Sequence, residues 1–483
     1  MGPFMFRTVG DQPTLWEAIL PDELRRLPEE LARVDGLLDD PVFFAPFVRF
    51  FDPRMGRPST PMETYLRLMF LKFRYRLGFE SLCREVSDSI TWRQFCRIGL
   101  DQPVPHPTTL MKLTTRCGSA AVEGLNEALL AKAAGAKLLR CTRVRVDTTV
   151  VPANVAYPTD SGLLAKAVRR IAVTGRRIQA AGGAVRTRLR DRSRAAGRRA
   201  HDLNAKLRTR SVTVKEEALE VVRRKNGELA DLAKTAAAEA ERLLTNAKRA
   251  LHTARKKAAE LAAAGGRNAA AGRRRGRLAR AINDLTKLLE ATRRIAAQTR
   301  QRVAGVIPDG ATRRVSLHDP DARPIAKGRL GKPVEFGHKA QVCDNDDGIV
   351  LDHDVEPGNP ADVPRLEPAI KRVIRRTGRK PRTVAADRGY GEQSVDDALR
   401  DLGVPNVVIP RKGRPTKARQ SQEHRRAFRR HVKWRTGCEG RISTLKRGYG
   451  WDRSRIDTTE GARIWVGHGV LAHNLVKISA LAA

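Results

Sequence analysis

The chain has 483 residues, 41% of them hydrophobic, and 93 Lys and Arg against 53 Asp and Glu give a formal net charge of +40. That apolar content excludes a wholly disordered protein. The charge asks for a polyanionic partner, nucleic acid first and an anionic membrane second, because each neutralised phosphate releases counterions. No run approaches the ~18 apolar residues that span a bilayer. The opening MGPFMFRTVG lacks the basic and apolar regions of a signal peptide. Cys83, Cys96, Cys117, Cys141, Cys343 and Cys438 show neither zinc-type pairs nor a disulfide framework. Reduced thiols in a cytoplasmic, nucleoid-associated protein with no membrane partner are expected.

Residues 1–135 read as an all-α N-terminal domain that binds DNA. Thr60-Pro61-Met62-Glu63 has the form of a capping box with Pro at the first helical position. The helix then carries Tyr65, Leu66, Met69, Phe70 and Phe73 and is expected to stop at Gly78. Shorter helices follow near 79–86, 91–98 and 108–117. They suit a helix-turn-helix reader of DNA and a plain bundle equally.

After residue 139 the pattern alternates through Val144 and Val146, which predicts a strand ending on Asp147-Thr148-Thr149. Residues 161–306 then turn rich in Ala, Arg, Lys, Leu and Glu. Between 161 and 300 there are 36 Lys and Arg against 12 Asp and Glu, over half of the chain's net charge. Helix breakers are expected at Gly175, Gly182-Gly183, Gly265-Gly266 and Gly272, with the longest helix over 213–263. Val222, Leu229, Ala236, Leu243 and Ala250 recur every seven residues, and Leu278, Ile282, Leu285 and Leu289 alternate steps of four and three. Both patterns fit a coiled-coil-like seam in an antiparallel helical arm. RLRDRSRAAGRRAHD, nearly all charged and small residues, reads as a candidate for disorder.

Strands are predicted at 334–343 and 349–355, joined by Asp344-Asn345-Asp346-Asp347-Gly348. This acidic run lacks EF-hand spacing and reads as a hairpin turn. A helix over 361–376, a strand at 383–386 ending on Asp387, a helix near 392–402 and a strand at 404–409 follow. Next come a basic linker, RKGRPTKARQSQEHRRAFRR, and two helices near 433–447 and 459–481.

With 161–306 set aside, residues 136–160 and 307–483 make one α/β domain. Asp147 and Asp387 end strands in it, and Glu439 lies on the penultimate helix. Carboxylates at the carboxyl ends of neighbouring parallel strands share one crevice. They stay ionised together only beside a cation, and oxygen ligands favour Mg²⁺ or Mn²⁺. Arg435, Glu439 and Lys446, at i−4, i and i+7, fall within about 40° of arc on a helix. That face suits a metal held next to a phosphodiester. It also suits a solvated i,i+4 ion pair.

The set of motifs resembles a known family. Arg435-x3-Glu439-x6-Lys446 looks like the C-terminal signature of DDE transposases of the IS4/IS5-type superfamily, with Val432 where the usual signature has Tyr. Asp387-Arg388-Gly389-Tyr390 resembles its second-Asp motif, and VDTTVVPANVAYPTDS its first-Asp segment. SLHDPDARPIAKGRLGKPVEFGHKAQV is similar to the IS1182/ISNCY-like branch. PSTPMETYLRLMFLKFRYRLGFESLCREV resembles the block preceding catalysis.

The resemblance implies an RNase H-like mixed-sheet catalytic core interrupted by the long basic α-helical insertion. It implies binding of insertion-sequence ends, DNA cleavage and strand transfer with two Mg²⁺ ions (Mn²⁺ possible) about 3.5–4 Å apart. Asp147, Asp387 and Glu439 would be catalytic and would hold the metals. Arg435 and Lys446 would hold DNA phosphates, with Arg388 a further candidate. A homodimer acting on terminal inverted repeats and target DNA is expected. The alternatives are a non-catalytic relic that binds nucleic acid and another RNase H-like nuclease.

Overall fold

In the computed structural model, which describes residues 4–6, 20–52, 55–207, 215–266, 268–327 and 333–482, the chain divides into two compact units. One is Met1–Asn154 with Gly337–Ala483, and the other is Val155–Phe336. In chain order the main elements begin with helices α1 (Glu29–Leu38), α2 (Met62–Arg74), α3 (Phe79–Asp88), α4 (Ile90–Phe95) and α5 (Pro107–Gly135), then strand β1 (Arg143–Pro152). The helices α6 (Asp160–Ala180), α7 (Ser193–Leu207), α8 (Lys215–Ala263) and α9 (Ala269–Val303) come next. They are followed by β2 (Arg323–Ala326), β3 (Val334–Asp344), β4 (Val350–Pro357), α10 (Val363–Thr377), β5 (Thr383–Ala385), α11 (Gln393–Asp401) and β6 (Asn406–Val408). Helices α12 (Lys417–His424), α13 (Arg426–Arg435), α14 (Gly437–Gly448) and α15 (Thr458–Leu481) close the chain.

Five strands run in the order β4-β3-β1-β5-β6, and β2 adds to β3, giving a six-stranded mixed sheet. β1 pairs antiparallel with β3 and parallel with β5, and β5 pairs parallel with β6. This mixed α/β order is consistent with an RNase H-like core. β1 runs five residues beyond Asp147, so Asp147 lies within the strand rather than at its end. The antiparallel ladder with β3 carries it on to Pro152, opposite Gly337. Gly337 has no room for a side chain: a Cβ there would stand 2.2 Å from the Val151 carbonyl oxygen.

The turn between β3 and β4 is clasped by arginines of β1 and the segment before it. Arg145 is opposite Asp344 in register and donates two hydrogen bonds of 2.8 Å to its buried carboxylate. Arg143 pairs with Asp346 and Arg140 with Asp347. The acidic run is thus structural, and its Gly348 takes a left-handed φ of 74°. Val144 and Val146 point to the other face. They join one core that extends from Leu31 to Ile478, so the N-terminal helices and the sheet share it.

α2 differs from its predicted ends. Pro61 takes the extended cap position, Thr60 makes no capping hydrogen bond, and the helix starts at Met62. A residue before proline is driven to extended backbone, which moves the start along. Arg76, at φ 58°, ends the helix by filling the left-handed position usual for glycine. The Leu77 amide donates to the Lys72 carbonyl at 2.9 Å, and Gly78 opens α3 instead.

In the second unit, α8 and α9 run antiparallel, with ion pairs Arg300–Asp231 and Arg293–Glu241. Leu229, Ala236 and Leu243 of one and Leu278, Ile282, Leu285 and Leu289 of the other are buried. α6 and α7 pack onto this hairpin, so the unit is a bundle of four helices rather than a two-helix arm. The segment that read as disordered holds α7, whose Ala196, Ala200 and Leu203 are buried. Gly175 and Gly272 are inside helices. At Gly175 the reason is close approach, since a Cβ would meet Leu189 at 2.2 Å. The breaks at Gly182-Gly183 and Gly265-Gly266 occur as expected.

Asp344→Ala strands the buried Arg145 guanidinium. We expect it to cost about 3–5 kcal/mol of stability, the range for breaking one side of a buried ion pair. Urea unfolding of the two proteins measures it. A loss under about 1 kcal/mol would deny this pair its structural role.

Candidate active site

β1 and β5 pair at Arg143↔Thr383, Val144↔Val384 and Arg145↔Ala385. Continuing that register by two residues sets Asp147 beside Asp387, just past the end of β5. The Asp147 carboxylate is buried and accepts a 2.8 Å hydrogen bond from the Thr148 amide. The Asp387 carboxylate accepts from the Gly389 amide at 2.9 Å, which fixes the short 3₁₀ turn Arg388–Tyr390. Burial raises the Asp147 pKa to about 6, and Asp387 and Glu439 push it the same way. Burial raises Asp387 too, helped by Asp362. Arg435 opposes both shifts.

Glu439 is brought in by Arg435. The Arg435 guanidinium donates to Asp147 Oδ2 at 3.0 Å and to Glu439 Oε1 at 3.4 Å. The predicted single helix over 433–447 is interrupted at Thr436, so Arg435 ends α13 and Glu439 lies in the first turn of α14. The cause is Arg145, whose Nη1 donates to the Trp434 carbonyl at 3.1 Å. That oxygen would otherwise serve the next helical turn. Gly437 leaves the space, since a Cβ there would stand 2.1 Å from the same nitrogen. The i,i+4 pair survives the break because Thr436 keeps right-handed helical angles. Glu439 is the most open of the three acids, its side chain 64% exposed. Arg388 is exposed on its turn, and Lys446 is half-buried in the last turn of α14.

One neighbour, Asp362, escaped sequence reasoning. Asp362 occupies the N-cap of α10 yet makes no capping hydrogen bond. It pairs instead with Lys339 of β3 at 2.8 Å. It also faces Asp387: a Cβ on Gly389 would meet Asp387 Oδ1 at 3.0 Å and Asp362 Oδ2 at 3.3 Å. In sequence Asp362 carries the ordinary signal of a helix cap. Tyr390, buried, takes a 2.9 Å hydrogen bond from Gln341 and anchors the same turn.

As arranged, the acids do not form a closed ligand set: among the described residues no group of three or more His, Cys, Asp or Glu is placed to hold a metal ion. The donor chemistry nonetheless fits a hard divalent cation. Asp147 and Asp387 offer oxygen ligands from adjacent strands, and both are raised by burial and by neighbouring acids. A cation would relieve that repulsion, a task Arg435 performs in part.

The raised pKa has a stability consequence. Unfolded, Asp147 has the ordinary aspartate pKa of 3.8; folded, about 6. Between those values the native state binds more protons, so Asp147 costs stability above pH ~6 and the cost is relieved as pH falls toward 4. Asp147→Asn is therefore expected to raise Tm near pH 8, with the gain vanishing near pH 4. Paired thermal melts across that range check it, and a gain that grows on acidification would contradict it.

A family model described as "Transposase domain (DUF772)" matches residues 20–116, and one described as "Transposase DDE domain" matches residues 305–475. The chain is 30% identical over 149 residues to "Uncharacterized protein ORF8 in nfe locus" of Rhizobium meliloti, covering 30% of this chain and 71% of that one. No solved structure matches.

Proposed function

This chain belongs to the DDE transposases, and on that premise we propose that it binds the ends of an insertion sequence, cuts DNA there and joins the cut end to a target. The observation that carries this reading is the meeting of Asp147 and Asp387 at the end of a three-residue parallel ladder, with Arg435 linking Asp147 to Glu439. Asp147, Asp387 and Glu439 are the catalytic acids and would hold two divalent ions, Mg²⁺ or else Mn²⁺. Bound there, such ions supply an activated water or DNA 3′-hydroxyl and stabilise the leaving oxygen.

The chain's own residues set up the rest. The Thr148 and Gly389 amides fix the two aspartates. Arg435 holds the Asp147 and Glu439 carboxylates together until DNA arrives, and its planar fork then turns to a phosphate. Arg388, exposed beside Asp387, and Lys446 also hold DNA phosphates. Two element ends require two active sites, which favours a homodimer. Among the described residues no helix is long and apolar enough to cross a membrane, and action on chromosomal DNA places the protein in the cytoplasm at the nucleoid.

Asp147→Asn, Asp387→Asn and Glu439→Gln, made singly, are each expected to lower Mg²⁺-dependent cleavage of element ends by at least about a hundredfold. Full activity in any one removes that residue from the site. Joining of a 3′-hydroxyl end to a target duplex separates transposition from simple hydrolysis.

Arg435→Lys keeps the charge but loses the two-pronged reach. We expect it to cut more slowly than the parent and faster than Arg435→Gln. Equal rates for the two variants would show that charge is irrelevant at this position.

A further inference from the structure

The segment that read as a basic linker folds into α12 and α13, and α13 is built with two unlike faces. Phe428 is buried against Ala385 of β5 and Val408 of β6, with Val432 and Trp434 packed at the rim of that cluster. Trp434 is further held by Arg143 and Arg145, whose guanidinium carbons lie 4.7 and 4.9 Å from its ring centre. The helix is therefore fixed to the strand that leads into Asp387, and its last residue, Arg435, touches Asp147.

The opposite face carries Arg426, Arg429, Arg430 and Lys433, all exposed. At 100° per residue these four fall within about 100° of arc, turned away from Phe428 and Val432. No acidic residue occurs between His424 and Cys438. Among the described residues none of the four makes an ion pair, whereas the nearby Arg143, Arg145, Arg419, Arg435 and Arg441 each hold a carboxylate. The inner arginines are spent on structure, and the outer four are left with their charge free.

Resting on the reading of this chain as a DNA-cutting enzyme, we propose that the outer face of α13 is a track for the backbone of duplex DNA that delivers a strand to Asp147 and Asp387. From Arg426 to Lys433 the helix rises about 10 Å, the axial span of about three phosphates of one strand. The contacts are to phosphate, so the track positions DNA without reading its sequence.

The test uses the full chain and a random-sequence DNA duplex, with affinity measured by fluorescence anisotropy across a range of salt. Changing Arg426, Arg429, Arg430 and Lys433 together to Gln removes four phosphate partners. It is expected to reduce the slope of log K against log salt by about 3–4. Changing the three arginines to Lys instead keeps the charge and is expected to keep the slope, with circular dichroism showing α-helix retained in both. In cleavage, the Gln variant raises KM for DNA far more than it lowers kcat. An unchanged slope in the Gln variant, a slope lost equally in the Lys variant, or tighter binding of a matched RNA duplex overturns the proposal. Cleavage by the parent chain with Mg²⁺, run in parallel, separates the two readings: a parent that binds the duplex but never cuts it would defeat the enzyme assignment, whereas the track is decided by the salt slope.

Discussion

A ladder of three residue pairs, Arg143–Arg145 on Thr383–Ala385, is the constraint on which the site depends. It joins strands whose partners are 240 residues apart in the chain. So short a parallel pairing cannot repay the closure of so long a loop by itself. The eight-residue antiparallel ladder between β1 and β3 provides the frame, and the cross-strand pair Arg145–Asp344 is buried within it. With β1 fixed in this way, the parallel register beyond Ala385 allows only one arrangement, Asp147 beside Asp387. Arg145 then acts a second time. By taking the Trp434 carbonyl it breaks the following helix at Thr436, so that one cation shapes both the sheet and the helix pair that carries Arg435 and Glu439.

Much of this was legible because it is periodic. The hairpin of β3 and β4 alternates and closes on an Asp-Gly turn. β5 is mostly apolar and leads into Asp387. The helical unit carries its seven-residue spacing openly. What stayed hidden depends on partners distant in sequence. Asp147 reads as a strand end because the polar Thr148 and Thr149 follow it, but β3 supplies an antiparallel partner that extends the strand. Near residue 436 the local hint of a break is Gly437, and its cause lies in Arg145, 289 residues before Trp434. In the run before Arg435, charge masks a helix whose few apolar residues, Phe428, Val432 and Trp434, suffice to anchor it on the sheet edge. Asp362 reads as a cap and instead faces Asp387.

The net charge of +40 likewise separates into two populations. In the first unit many arginines neutralise nearby acids, as with Arg67 between Asp35 and Asp39, or Arg372 and Arg376 on Asp352. These would be poor electrostatic attractants, because their fields are cancelled at short range. The excess that reaches solvent includes the outer face of α13 and the helical unit, where 161–300 carries three basic residues for each acidic one. A bare count of basic residues therefore overstates what DNA can feel and says little about where.

The separation of the three acids also has a consequence in time. Asp147 leaves the ribosome's catalytic centre 292 residues before Glu439. At the usual ~5–20 residues per second of synthesis, roughly 15–60 seconds pass in which the first carboxylate exists without the third. On the proposed reading, the growing chain exposes the basic helical unit to any nearby nucleic acid during that interval, while its cutting site is incomplete. Under that proposal the chain acquires its affinity first and its reactivity last.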